Sequence, residues 1–362
     1  MHGADIMLLR LVLLAGLLTA TQPALAQFYK DKTLTVLVNY GVGGNADTEA
    51  RVYQQHLAKH IPGHPTILIR NMPGAGGVTA MNQLGLNIGS QPDGLTLGYF
   101  TMSATVLITD DPVLKIKMDD LVPISASRGW IIAYARKDIV PGGYAKPADF
   151  PRAQNIFAGG YSRASSHDTR LRLALEIMNL PYKMVTGFPG TAQVNKAMLQ
   201  NEVNFSASSL PGFQTQVIPQ IINPGIGATL FQFPIVGADG QATGNPALIK
   251  NGIPVFNAFY QEAFGKPPSG PKYDALLLTN DISTKMQRGM FLPKGSPPEA
   301  VAALRQAFIE IASDPDFVAD FRKITGDDPD LVRAEEIEQI YQRIHGVAPE
   351  VKKVLKDSVG SE

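Results

Sequence analysis

The stretch Leu34 to Arg51, LTVLVNYGVGGNADTEAR, limits what the chain can build more than any other. Its apolar and β-branched opening has the make-up of a buried strand. The run breaks at Gly41, Gly43 and Gly44 and resumes as a helix, with Asn45 or Asp47 placed to cap it. A strand feeding a glycine turn and a helix start presents unpaired N–H groups, and the helix dipole favours negative charge beside them. Read alone, the stretch suits a dinucleotide, a phosphate or a carboxylate, or a tight turn with no ligand.

What precedes this stretch narrows the choice. Residues 7–26, MLLRLVLLAGLLTATQPALA, read as a secretory signal: Arg10 is the positive end, Leu11 to Leu18 the apolar run, and Ala24-Leu25-Ala26 the small-x-small cleavage site. The run is too short to span a bilayer comfortably, so cleavage after Ala26 and a soluble periplasmic protein are expected. The chain has no cysteine, which excludes a lipid-modified cysteine, a disulfide and a thiolate metal site. Nicotinamide and nucleotide cofactors are scarce outside the cytoplasm, so no cofactor is expected. Lys+Arg and Asp+Glu balance at 32 each, without the basic excess of a nucleic-acid partner.

Along the chain the opening unit recurs. Thr66 to Arg70 is a strand that runs into Asn71-Met72-Pro73-Gly74-Ala75-Gly76-Gly77, and Val78 to Leu86 is the next helix. The turn Gln91 to Gly94 leads into a strand over Leu95 to Phe100. Strand and helix alternate here, which predicts a parallel α/β sheet with ligands beyond the carboxyl ends of its strands. The pattern restarts with strands over Leu121 to Ser125 and Trp130 to Ala135. The strand Asn155 to Ala158 then enters Gly159-Gly160-Tyr161-Ser162-Arg163-Ala164-Ser165-Ser166-His167 ahead of a helix over Asp168 to Met178. Tyr182 to Val185 is a strand that breaks at Gly187 to Thr191 into a helix over Ala192 to Leu199, and Val203 to Ala207 is a strand ending in Ser208-Ser209. Two such units predict two lobes facing one another across a cleft. Phe231 to Val236 is expected to re-enter the first lobe, and 237–272 is the least readable stretch. A strand over Arg288 to Leu292 follows. Pro298 opens a helix to Ala312, and helices near 316–323 and 334–345 finish the chain.

Several motifs compete for chemistry. Gly41-Val42-Gly43-Gly44-Asn45-Ala46 satisfies the G-x-G-x-x-A dinucleotide pattern, with Arg70 as a conceivable 2′-phosphate partner, but the export signal argues against it. Gly160-Tyr161-Ser162-Arg163-Ala164 imitates a hydrolase nucleophile elbow with Ala for the final Gly. The only later histidines are His167, too near to swing in as base, and His345, in a C-terminal helix. A row of hydroxyls and N–H groups at Ser162, Ser165 and Ser166 is the better reading. His56, His60 and His64 share i, i+4 spacing, but Pro62 and Gly63 break the helix, so no metal site is expected. Asp110-Asp111, Asp119-Asp120 and Asp327-Asp328 sit where turns and caps explain them, and Trp130 reads as core or cleft wall.

At these motifs the chain resembles the periplasmic substrate-binding proteins of tripartite tricarboxylate transporters, the Bug family. The family's Pro-Phe-x-x-Gly-Gly-x-x-Asp pattern is matched by Asn39-Tyr40-Gly41-Val42-Gly43-Gly44-Asn45-Ala46-Asp47, and its Asn-Arg-Pro-Gly-Ala-Gly-Gly turn by Asn71 to Gly77. Its Pro-Asp-Gly-Tyr-Thr-Leu is similar to Pro92 to Leu97. Its glycine-serine turn before His looks like Gly159 to His167, its Tyr-Lys-Gly-Ser/Thr like Gly187 to Thr191, and its Phe-x-Pro-x-Gly-Thr-Pro like Phe291 to Pro297. The matches are collinear over nearly the whole mature chain. Asn39 stands for the usual proline, Met72 for the usual arginine, the Tyr-Lys is absent, Arg163 is inserted, and extra residues lie around 237–287.

The resemblance implies a type II periplasmic-binding-protein fold, a two-lobed Venus flytrap whose lobes are mixed α/β sheets flanked by helices. Lobe 1 would comprise 27–124 and 230–362 and lobe 2 125–229, with hinges near 122–128 and 228–232. It implies a non-enzymatic, monomeric receptor that captures a small di- or tricarboxylate or aromatic acid and hands it to membrane subunits. Backbone N–H groups, hydroxyls and water hold the acid in such proteins, with no obligatory arginine. The implied ligand-binding residues are Tyr40, Gly43, Gly44, Asn45, Asp47, Gly160, Ser162, Ser165, Ser166, His167, Gly190, Thr191 and Ser208; the inserted Arg163 is expected to reach into the cleft and add a direct ion pair, the alternative being that it points to solvent at the cleft rim. An exported serine hydrolase using Ser162 is the alternative.

Overall fold

Strand β1 (Thr33–Val38) is an interior strand of a six-stranded sheet, one strand from its edge, and Leu34, Val36, Leu37 and Val38 are all buried, which demands cover on both faces. A computed structural model describes residues 28–360 apart from Ser90, Ala164 and Ala238; the signal segment and cleavage site predicted from the sequence lie outside the described residues. β1 pairs in parallel with β2 (Thr66–Asn71) on one side and β3 (Thr96–Thr101) on the other. β4 (Leu121–Ser127), β12 (Arg288–Pro293) and β13 (Leu331–Arg333) complete the sheet in antiparallel pairs, in the order β13-β4-β12-β3-β1-β2. Helices α1 (Asn45–His56), α2 (Val78–Gly85) and α3 (Ala104–Thr109) follow β1, β2 and β3 in turn.

The second sheet repeats this plan. β6 (Ile156–Gly159) lies in parallel between β7 (Tyr182–Val185) and β8 (Phe205–Ser209), while β5 (Ile131–Arg136) runs antiparallel to β8 and to β9 (Gly227–Gln232), giving β7-β6-β8-β5-β9. Helix α4 (Ser166–Ile177) follows β6, α5 (Thr191–Leu199) follows β7, α6 (Leu210–Gly212) and a π-helix over Phe213–Ile222 come after β8, and β10 (Ile235–Val236) pairs with β11 (Ala242–Thr243) in a separate antiparallel ribbon. In both sheets the first parallel strand sits between the next two, so successive connections leave its carboxyl end in opposite directions. The gap opened there is where α/β sheets place ligands. The architecture is the two-lobed α/β fold with mixed sheets that the sequence predicts.

Two features depart from the sequence reading. The register pairs Ile132 with Gln232 and Ala133 with Phe231, so β9 belongs wholly to the second sheet and Phe231 does not re-enter the first lobe. Residues 246–285, expected with the first lobe, form α7 (Pro246–Lys250), α8 (Phe256–Phe264) and α9 (Pro271–Lys285) and pack against the second. Aromatic burial explains both. The Phe231 ring lies 5.0 Å from Phe256 and 5.0 Å from Phe259, and Phe259 lies 5.5 Å from Phe150 of the second lobe.

α9 then runs along α4 and delivers the chain back to β12. A hydrophobic core follows the same route, from Phe100 and Leu107 of the first lobe through Leu276, Ile282 and Met286 to Leu171, Leu175 and Phe231 of the second. The helices α10 (Pro298–Ile311), α11 (Pro315–Thr325), α12 (Ala334–His345) and α13 (Pro349–Gly360) close the chain. Among the described residues no helix is long and apolar enough to cross a membrane. Truncating Phe231 to alanine should cost about 3–5 kcal/mol, since its cage of Phe233, Phe256 and Phe259 cannot collapse into the void. The urea midpoint of Phe231→Ala checks it, and a loss under about 1 kcal/mol would contradict the packing that ties α8 to the second sheet.

Candidate functional site

β1 passes to α1 through Gly41 to Gly44, where Gly43 adopts φ +79°, a left-handed conformation glycine reaches without steric cost. The Gly43 N–H donates to Asp47 Oδ2 at 2.9 Å. Asp47 is buried and also accepts from Arg51 Nε and Nη2 at 3.0 Å and from Asn71 Nδ2 at 3.0 Å. Burial pushes its pKa up, but the donors from Arg51, Gly43 and Asn71 outweigh it and hold the carboxyl below its usual range. Asp47 therefore fastens the turn from behind. No side chain caps α1, so the amides of its first turn, including those of Asn45 and Ala46, stay open.

The second lobe is built alike. Asp168, three residues into α4 as Asp47 is in α1, folds back so that Oδ1 accepts from Tyr161 N at 2.7 Å and from Ser165 Oγ at 2.8 Å, with Ser162 N at 3.4 Å. Ser165 caps the helix in return by accepting from Asp168 N at 3.2 Å. Gly160 leaves the room for this: a Cβ there would collide with the Asp168 carboxylate. At the end of β1 the Asn39 side chain accepts from Thr101 N at 2.9 Å and donates to Thr101 O at 3.0 Å and Gly77 O at 3.3 Å. It ties β1, β3 and the second glycine turn together, which the proline usual at this position in similar chains could not do.

The two sheets enclose a cavity of about 630 Å³. Tyr40, Gly43, Gly44 and Asn45 line it from the first lobe, and Ser162, Ser165, Ser166, His167, Gly190 and Thr191 from the second. The walls touch where Asn45 Nδ2 donates to Ser209 Oγ at 3.1 Å. The remaining residues proposed from sequence lie off the wall. Asp47 and Gly160 are turn interior, and Ser208 is buried behind Thr191, their hydroxyls 3.2 Å apart. Arg163 is exposed and outside the cavity, in the turn whose Tyr161 and Ser162 amides Asp168 holds.

His167 stacks on Tyr161, ring centroids 4.0 Å apart, with Nε2 3.4 Å from Gly159 O. Burial, and then Arg170, push its pKa down to about 3, so the ring is neutral at physiological pH. Its Nε2 is engaged with Gly159 O and His345 ends α12, and among the described residues no hydrogen bond joins a serine hydroxyl to a histidine.

The wall also holds residues that sequence reasoning missed: Arg170, Ser283, Gln287 and Arg288. Arg288 is 4% exposed and ion-pairs with the buried Glu49 at 2.9 Å, while Tyr99 Oη donates to the other Glu49 oxygen at 3.2 Å. Nothing local could have found this pair, whose members lie 239 positions apart. Arg170 did carry a signal, being four residues after Ser166 and so on the same helix face. The cavity lining thus contains two arginines and no acidic side chain, and the N-termini of α1, α4 and α5 open onto it. Such a field favours an anion.

No protein-family model matches the chain, and neither does any curated protein sequence. Among solved structures it is similar to the periplasmic binding protein BugD, at 16% identity over 91% of this chain and 98% of that one, with a TM-score of 0.63. It is similar to MatC from Rhodopseudomonas palustris with bound malate, at 19% identity over 91% and 99% of the two chains and a TM-score of 0.59. A further R. palustris protein, solved with adipate, aligns at 16% identity over 91% and 97%, with a TM-score of 0.64. The chain therefore has the two-lobed fold of the periplasmic binding proteins.

The Asp47 fastener has a pH signature. A carboxyl held below its unfolded pKa of about 4 contributes stability that is present above that pH and is lost as pH falls through the folded value. Asp47→Asn should cost roughly 1–3 kcal/mol at pH 7, and its deficit against the wild type should shrink at pH 3. Urea unfolding at both pH values reads this, and an equal deficit at each would refute it.

Proposed function

We propose that the protein is an exported solute-binding protein that closes its lobes on a small organic carboxylate and presents it to a membrane transporter of the tripartite tricarboxylate type, without chemistry on the ligand. The observation that carries this is the cleft wall, onto which three helix N-termini open, with the unpaired Arg170 among the described lining residues and no acidic side chain exposed there. The fold shared with proteins solved with malate and adipate supports the ligand class. The signal-like N-terminus supports the periplasm. Hydrogen bonds to a charged group contribute about 1.5–3 kcal/mol each, so a few from each lobe reach micromolar affinity.

Closure would bend the chain where it passes between sheets, after Ser127 and past Gln232, at the ends of the predicted ranges 122–128 and 228–232, because the ranges themselves are paired inside β4 and β9. The Asn45–Ser209 contact then belongs to the closed form, and the receptor works as a monomer.

A thermal-shift screen with succinate, malate, adipate, citrate and benzoate should raise the melting point with at least one acid. Asn45→Ala, which removes the cross-cleft hydrogen bond, should weaken the best acid about tenfold by calorimetry. Affinity should stay flat between pH 6 and 8, because His167 is neutral throughout. If no acid shifts the melting point and ester turnover is abolished by Ser162→Ala, the protein is a hydrolase and not a receptor.

A further inference from the structure

Arg170 projects from α4 one turn beyond Ser166, about 6 Å further along the helix and on the same face. It lines the cavity yet is only 5% exposed. Its Nε donates to Asn280 Oδ1 at 2.5 Å, and Asn280 Nδ2 in turn donates to Pro234 O, so the guanidinium is held in one orientation. Among the described residues no carboxylate pairs with it, in contrast to Arg288 with its Glu49. Burial alone depresses its pKa, to about 10, which leaves it charged at physiological pH. Beside it a chain of hydroxyls joins three elements: Ser283 Oγ of α9 lies 3.0 Å from Ser166 Oγ of α4, which lies 3.4 Å from Ser103 Oγ at the start of α3.

A buried guanidinium without a countercharge costs several kcal/mol, and a group aimed into a ligand cavity is relieved when the ligand brings the charge. We propose that the cleft contains a second anion subsite, apart from the glycine turns, in which the Arg170 guanidinium forms a direct ion pair with the far carboxylate of an α,ω-diacid, flanked by the Ser166 and Ser283 hydroxyls. Arg170 is then the residue that separates diacids from monoacids. This rests on the carboxylate-receptor reading and adds to it a charged contact where backbone amides alone would not discriminate. Arg288 cannot serve in its place, since Glu49 already neutralises it.

Calorimetry of the full-length mature protein with adipate against hexanoate, and succinate against butyrate, tests the subsite. Wild type should bind one diacid about 10–100-fold tighter than its monoacid partner, and Arg170→Gln should collapse that ratio towards one. Asn280→Asp, which sets a carboxylate against Arg170 Nε, supplies the countercharge from within and should lower the ratio about tenfold, so the inference can be judged even if Arg170→Gln does not fold. A ratio unchanged in either folded variant overturns the subsite and leaves the receptor reading standing. A wild type that binds monoacids as tightly as diacids does the same. A wild type that binds no acid at all overturns both.

Discussion

The structure turns on how each lobe ends its first parallel strand. A helix start leaves several amides without partners, and a glycine turn alone would be too loose to aim them. In both lobes an aspartate at the third helical position reaches back and takes the inner amides of the turn: Asp47 that of Gly43, and Asp168 those of Tyr161 and Ser162. The inner donors become scaffold, and the outer ones, at Asn45 and Ala46 and at the first residues of α4, are left facing the cleft. Each turn is thus rigid on one side and open on the other. A field that favours anions follows from backbone geometry before any side chain of the cleft is considered.

The rest of the molecule holds these two turns opposite each other. The position of β1 and β6 between the two parallel strands that follow each of them puts both turns at the point where connections diverge, and both turns line the same cavity. Behind the cleft the lobes are not separate bodies, because α9 lies against α4 and shares its core with both sheets. Its polar residues are used as fully as its apolar ones. Asp281 binds Lys285, Arg343 and the Val236 amide, Asn280 orients Arg170, and Ser283 meets Ser166. One helix therefore joins the hinge region to the cleft wall.

Much of this was readable because the signals are local. β-branched runs, glycine turns and capping residues placed the helices now seen at Val78–Gly85, Thr191–Leu199 and Ala334–His345 within a residue or two. The stretch 246–285 was opaque for a physical reason. α9 buries Ala275, Leu276, Thr279, Asn280, Asp281, Ile282, Ser283 and Thr284, polar and apolar alike, so its burial follows no amphipathic stripe that could be read. The cleft was legible where it is made of turns. It was illegible where it is made of side chains brought in from helices and strands that look purely structural. Arg163 drew attention because it sits in a turn, whereas Arg170 and Arg288, inside regular elements, are the arginines on the wall.

The sequence by itself determined the strand–turn–helix units, their repetition in two lobes, and the anion preference of their glycine turns, because each depends on residues within a few positions of one another. Only the tertiary structure decided which donors are spent inside the turns and which face the cleft. It alone set the buried Glu49–Arg288 pair and left Arg170 without one, since a buried charge is defined by neighbours that arrive from more than 100 positions away.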